Sequence, residues 1–484
     1  MDRPSSPSRD ARPATPKPGP AGAPAETGWL PDCVYTGEKF EPGMAFFADG
    51  QGRITRFSRE PADLAAARRL AGQAALPGLV NTHSHAFHRT WRGRTEVRGR
   101  GDRDPLAPWR EAHDAVAGRL TPEQLHDVAR MTFMEMLLAG ITCVGEFHYL
   151  HQQPDGAPWP EPNLLAQTIL RAAHEVGIRI ALLNCAWSRG SYRPGSEPAP
   201  ARFATGGIER FVRETEVLHR WASTNFPADE AWIGVAAAGL GQVPLNELKA
   251  LGNFAHSQRF RLHVPLATTA AENAACQAEF GRTPAALLAE HGLIDKRFTA
   301  IDAAHLTADE IKLLGAARAT VCVCPLTAAS LGQPAAPVEA LLAAGAGLAV
   351  GTDSQGQIDL LKEARHLEYD LRSRHARRPG LSADPATTWW HAATVTGARS
   401  LGATGGALEV GRPADFFTVN LFEPSLAGTD PASLLANVVF ALERRAIRDV
   451  WIGARQRVAN GRHQLHGAIV GRFVDTQTQL WPRP

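Results

Sequence analysis

The stretch Leu76-Pro77-Gly78-Leu79-Val80-Asn81-Thr82-His83-Ser84-His85 decides how the fold is read. An apolar run, broken only by Pro-Gly, leads into two histidines one residue apart. On an extended backbone, positions i and i+2 face the same way, so one strand end can present both imidazoles to one ion. Neutral imidazole is a common ligand of zinc and its first-row neighbours. Alone, the pair reads equally well as two polar residues at a strand-to-loop junction. The chain downstream weighs between the two.

Two more strand-like runs end on candidate ligands: Arg259-Phe260-Arg261-Leu262-His263-Val264, and Leu348-Ala349-Val350-Gly351-Thr352-Asp353. Taken singly, His263 reads as a tolerated polar residue and Asp353 as a cap or turn. Jointly, His83, His85, His263 and Asp353 can hold one divalent ion, zinc or else iron, and leave a position for water. Such an ion brings the pKa of that water to about 7, and Asp353 can take its proton.

Between about 76 and 400, helical and strand patterns alternate. Thr121-Pro122-Glu123-Gln124 has the cap, the proline at N1 and the glutamine three residues after the cap that open a helix. Gly140 ends it, and Ile141–Phe147 then reads as a buried strand. The rhythm recurs as helix 161–176 with strand 179–184, helix 283–291 with strand 298–303, and helix 336–344 with strand 347–351. This is the pattern of an α/β, TIM-like (β/α)8 barrel, in which catalytic groups sit where strands end. The aperiodic piece 188–230 reads as loop plus helix over the site.

Short strands with Gly-rich turns flank the barrel on both sides, over 28–75 and again over 401–484, which predicts one small β-sandwich built from both termini. Residues 1–27, rich in Pro, Ala, Ser and Gly, read as a disordered tail.

The net charge of +2 and the 7% aromatic content give no argument for a nucleic acid or an anionic membrane as partner. A small-molecule substrate is expected instead. No apolar run approaches the roughly 18 residues of a membrane span. The N-terminus has arginines but no apolar core of a secretory signal. The six cysteines form no Cys-x-x-Cys pair, and Cys322 and Cys324 read as small core residues of a strand. A reducing, cytoplasmic setting follows, and a homodimer is compatible with the sequence.

The metal residues and their surroundings resemble a known family. Leu76-Pro77-Gly78 through His85, Gly351-Thr352-Asp353 and Val410-Gly411-Arg412-Pro413-Ala414-Asp415 are similar to the amidohydrolase superfamily over essentially 28–484. His85-Ala86-Phe87-His88-Arg89, Glu146-Phe147-His148-Tyr149, Cys324-Pro325-Leu326-Thr327 with Leu331-Gly332, and Leu367-Glu368-Tyr369 resemble its formimidoylglutamate deiminase branch. That resemblance implies hydrolysis of a formimino C=N group with release of ammonia.

Key positions depart from the branch pattern. The resemblance implies a glutamate three residues after His263, where this chain has Leu266, and the first carboxylate beyond it is Glu272. It implies a histidine on the sixth strand, where Asp302 stands, although the later His305 is kept. A histidine and an arginine that grip substrate near the fifth strand are replaced by Ala238 and Gly241, and a glutamine by His88. The expectation is therefore a metal-dependent hydrolase of a nonpeptide C–N bond with altered substrate or weakened activity. Asp353 and Asp302 are its candidate catalytic groups, and His88, Tyr149 and His305 its candidate substrate contacts. The alternative is a metal-bound homologue with a binding or regulatory role.

Overall fold

The computed structural model describes residues 26–96, 106–192 and 197–482. The tail expected over 1–27 lies outside these residues except for its last two, and Thr27 is already in a strand, paired with Ala48.

Eight parallel strands, each hydrogen-bonded to its neighbours in chain order, form the barrel. They are Leu79–Ser84, Ile141–His148, Arg179–Ala186, Ala231–Ala237, Leu262–Leu266, Phe298–Asp302, Thr320–Val323 and Gly347–Val350. The first and last strands meet through a parallel bridge between Ser84 and Asp353. There the His83 carbonyl accepts from the Thr352 and Asp353 amides at 3.0 Å each. Near-continuous apolar strands are what a sheet buried on both faces requires. The helices that cover it begin as their caps dictate. Thr121 with Gln124 and Thr307 with Glu310 each form a reciprocal capping box, opening helices Pro122–Leu138 and Ala308–Ala316.

Both termini build one separate nine-stranded sheet. Its central strand, Arg68–Pro77, pairs with Thr27–Tyr35 on one side and with Phe416–Asn420 on the other. Its aromatic core stacks Phe416 on Trp451 at 4.5 Å between ring centroids, with Phe46 and Trp29 alongside. The strand runs through Pro77, so the chain leaves the terminal sheet at Gly78 and enters the barrel at Leu79. A Cβ on Gly78 would sit 2.1 Å from the Thr142 hydroxyl, so only glycine fits this crossing. Its amide donates to the Asp415 carbonyl, and the Asp415 carboxylate grips the Arg179 guanidinium with two bonds of 2.6 and 3.0 Å. The Leu-Pro-Gly and Pro-Ala-Asp motifs thus form one seam between the terminal sheet and the barrel.

In the aperiodic piece a loop leads into helix Ile208–Asn225, matching the expected loop plus helix. Two further helices go beyond the expected strands. Helices Leu434–Phe440 and His466–Leu480 interrupt the C-terminal strands, and the latter lies on helix Pro122–Leu138 through Gln124 and Gln479.

Candidate metal centre

The first strand delivers His83 and His85 on the same face, as its two-residue period requires. The His83 Nε2 lies 3.5 Å and the His85 Nε2 3.3 Å from Asp353 Oδ1. The donor atoms of these three residues all fall within 4.8 Å of one another. The phenylalanine carbonyl at 147 fixes the His85 ring, taking its Nδ1 at 3.0 Å and leaving Nε2 for the centre. A second bond of this kind, at the ring nitrogen away from the ion, is the usual support of a metal-binding histidine.

Asp353 owes its position to a strained turn. Its φ is +42° and that of Gln355 is +59°. A Cβ on Gly351 would meet the His83 backbone and Cβ at 2.8 to 2.9 Å, so glycine is what lets the two strand ends close. Beneath them runs a buried chain of hydrogen bonds. Asn81 and Thr352 exchange two, and Thr352 donates to Gln355. Gln355 donates to Ser84, and Ser84 to Glu146 at 2.6 Å. Burial pushes the Glu146 carboxyl up to about 8, against the pull of the Ala86 amide and the Ser84 hydroxyl. Neither Gln355 nor the support role of Glu146 is readable from spacing, because both act on Ser84 from the neighbouring strands, far apart in the sequence.

His263 stands apart from the three-residue group. It is fully buried on its strand, its Nε2 lies 3.3 Å from the Ser400 carbonyl, and its Nδ1 has no partner among the described residues. Burial pushes both His263 and His85 down to about 3, so both are neutral imidazoles with lone pairs to give. The donor set is thus two imidazoles and a carboxylate, with the imidazole of His263 buried nearby, which fits a divalent transition ion.

Asp302 ends the sixth strand with φ +65°. Burial first, then the neighbouring Asp353 charge, raises its carboxyl to about 7, while His83 pulls it down. Leu266, its register partner on the fifth strand, is fully buried. Glu272 is tied to the Thr268 amide and hydroxyl, at 2.8 and 3.0 Å. Gly241 is covered by the Tyr192 ring, 2.7 Å from where a Cβ would stand.

The three expected substrate contacts divide. His88 stacks on His85 at 4.4 Å between ring centroids, and its Nε2 lies 2.8 Å from the Tyr149 hydroxyl. His305 is half-buried at the end of the sixth-strand loop, where its amide donates to the Ala267 carbonyl. His113, on helix Ala107–Ala117, was not singled out in the sequence, yet its Nε2 lies 2.9 Å from the same Tyr149 hydroxyl. Beside this cluster, Trp91, Trp109, Arg92, Thr327 and Ser354 line a cavity of about 380 Å³.

Known proteins share this architecture. The amidohydrolase family model matches residues 74–462. Formimidoylglutamate deiminase of Pseudomonas aeruginosa is 33% identical, over 94% of this chain and 98% of that protein. The 8-oxoguanine deaminase of the same organism is 29% identical, over 90% and 94%. The crystal structure of an amidohydrolase from Brucella melitensis superposes with a TM-score of 0.85 at 28% identity, over 94% and 99%. With its two-ended sheet, its eight-stranded barrel and this match along most of its length, the chain belongs to the amidohydrolase family.

Proposed function

We propose that this protein is a metal-dependent hydrolase of a nonpeptide C–N bond in a small cytoplasmic molecule, with a substrate other than formimidoylglutamate. The observation that carries the reading is the convergence of the His83 and His85 Nε2 atoms on Asp353 Oδ1 at the strand ends. These three residues would hold the ion, zinc in preference to iron, with His263 as a fourth donor. When bound, such an ion supplies Lewis acidity and brings water to a pKa of about 7.

The remaining roles fall to the chain's own groups. Asp353 accepts a proton from the attacking water. Asp302, at a strand end facing the same mouth and in electrostatic contact with Asp353 and His83, is the group at hand to protonate a leaving nitrogen. His88, Tyr149 and His305 contact the substrate. A changed substrate follows from the other side of the mouth, where Leu266 offers no proton and the Tyr192 ring covers Gly241. An arginine fork for a carboxylate has no counterpart at that position.

A second reading is favoured by the buried Leu266: the chain holds metal and ligand without turnover. One screen separates the two. Ammonia release is measured over formimino, guanidino and amide compounds, with His85→Ala as the control. Release above that control supports the hydrolase. Metal bound at one equivalent without any release supports the second reading, and purified protein without metal overturns both.

A further inference from the structure

A run of hydrogen bonds leads from the surface to the metal-binding end. The Asp114 carboxylate, at 75% side-chain exposure, lies 2.9 Å from His113 Nδ1. His113 Nε2 lies 2.9 Å from the Tyr149 hydroxyl, and that hydroxyl lies 2.8 Å from His88 Nε2. His88 is sandwiched between the His85 ring at 4.4 Å and the Trp91 ring at 4.5 Å. Its remaining nitrogen, Nδ1, is buried and has no partner among the described residues.

The protons in this run can be placed by donor and acceptor rules. A carboxylate only accepts, so His113 Nδ1 carries a hydrogen. Burial pushes the His113 pKa down, so that ring is neutral and carries one hydrogen, and His88, whose buried Nδ1 meets no acceptor for a second N–H among the described residues, also carries one. His113 Nε2 is therefore bare and accepts the Tyr149 hydroxyl proton. The Tyr149 oxygen, having donated its only hydrogen, accepts from His88 Nε2–H. His88 Nδ1 is then left bare, as an acceptor.

We propose that the run Asp114–His113–Tyr149–His88 fixes His88 as an Nδ1 acceptor, a specificity-determining group that selects ligands presenting an N–H donor of the amidine or guanidine class. The ligand class rests on the reading of this mouth as a C–N hydrolase site; the proton arrangement does not. A bare imidazole nitrogen repels a carboxylate oxygen and accepts from an amidine N–H, which suits a mouth where Gly241 is closed off by Tyr192.

The full chain labelled with 15N-histidine tests the arrangement, with the His88 signals assigned by their loss in His88→Gln. The expected result is a protonated Nε2 and an unprotonated Nδ1. A protonated Nδ1 overturns the proposal. Tyr149→Phe removes the acceptor for Nε2–H, and Asp114→Ala, at an exposed position, removes the anchor without touching the core. Both are expected to bring in the second tautomer with metal content unchanged, and a single unaltered tautomer in both overturns the run as its cause. For the ligand class, acetamidine is expected to bind about three- to ten-fold more tightly to the unaltered chain than to Tyr149→Phe, the worth of one neutral hydrogen bond. Equal affinity for the two, or tighter binding of acetate than of acetamidine, overturns that part. Failure of every compound to release ammonia removes the hydrolase reading and leaves both measurements standing.

Discussion

Two arcs of one barrel mouth behave differently. Along the first and eighth strands, His83, His85 and Asp353 converge, and beneath them Asn81, Thr352, Gln355, Ser84 and Glu146 are joined in buried hydrogen bonds. Along the fourth to sixth strands, the positions matching the branch's substrate grip and proton shuttle hold Ala238, Gly241, Leu266 and Asp302, and the Tyr192 ring fills the space beside Gly241. One arc is a polar network built around three converging donors; the other carries the buried His263 among apolar or small residues, up to the Asp302 carboxyl. The three-residue donor set and the carboxyl at hand to deliver a proton therefore lie on different strands. They are separable because each depends on its own neighbours.

The largest effect expected of that separation is on metal content. His85→Ala should lower metal affinity by more than ~100-fold, beyond the loss typical for an outer hydrogen-bonding partner, while Asp302→Asn should leave it nearly intact. Metal analysis of the purified variants checks this, and an equal loss in both would erase the distinction between the arcs. Next comes closure. Gly351→Ala pushes a methyl into the His83 backbone and should cost about 1–3 kcal/mol in denaturant unfolding. Gly241→Ala presses on the Tyr192 ring, with the nearest backbone atom no closer than 3.4 Å, and should cost less. The reverse order would place the rigid contact on the wrong side of the mouth.

The strand-end residues of both arcs were legible in the sequence and the contacts that hold them were not, for physical reasons. Strand ends announce themselves by apolar runs, and His83, His85 and Asp353 close such runs, so period and position sufficed. His263 also closes one, but its Nε2 is engaged by the Ser400 carbonyl, 137 residues away on a helix, and no local pattern carries that contact. Gln355 and His113 escaped notice for the same reason: each is a single polar residue whose partner lies on a distant strand or helix. The helix His466–Leu480 was missed differently. Its buried Ile469, Phe473, Thr476 and Leu480 do follow helical spacing, but short strands on either side of the terminal sheet dominated the reading.

A smaller effect probes whether the second arc is merely altered or reorganised. Leu266→Glu with Asp302→His should raise ammonia release from formimidoylglutamate by about 10-fold, short of the ~10²–10⁴ that a well-placed general acid or base contributes. The shortfall is expected because Tyr192 still covers Gly241. No rise at all would mean that the arc has been rebuilt beyond these two positions. A full rise would mean that Tyr192 is no obstacle.

The smallest effect concerns a carboxyl between the arcs. Glu363 is fully buried, one oxygen accepting from the Leu326 amide at 2.7 Å and the other without a partner among the described residues. Burial, and secondarily the Asp353 charge, raises its carboxyl well above the ordinary range. A folded pKa raised above the unfolded one means that the contribution to stability is fully present below the unfolded value and is lost as pH rises toward the folded value. Glu363→Gln keeps the acceptor for Leu326 and carries no titrating proton. Its stability should therefore fall less than that of the unaltered chain from the usual carboxylate range upward, with the two curves separating progressively in denaturant melts at increasing pH. Curves that stay parallel would mean that Glu363 is ionised in the fold, and that the Asp353 charge is balanced within the first arc alone.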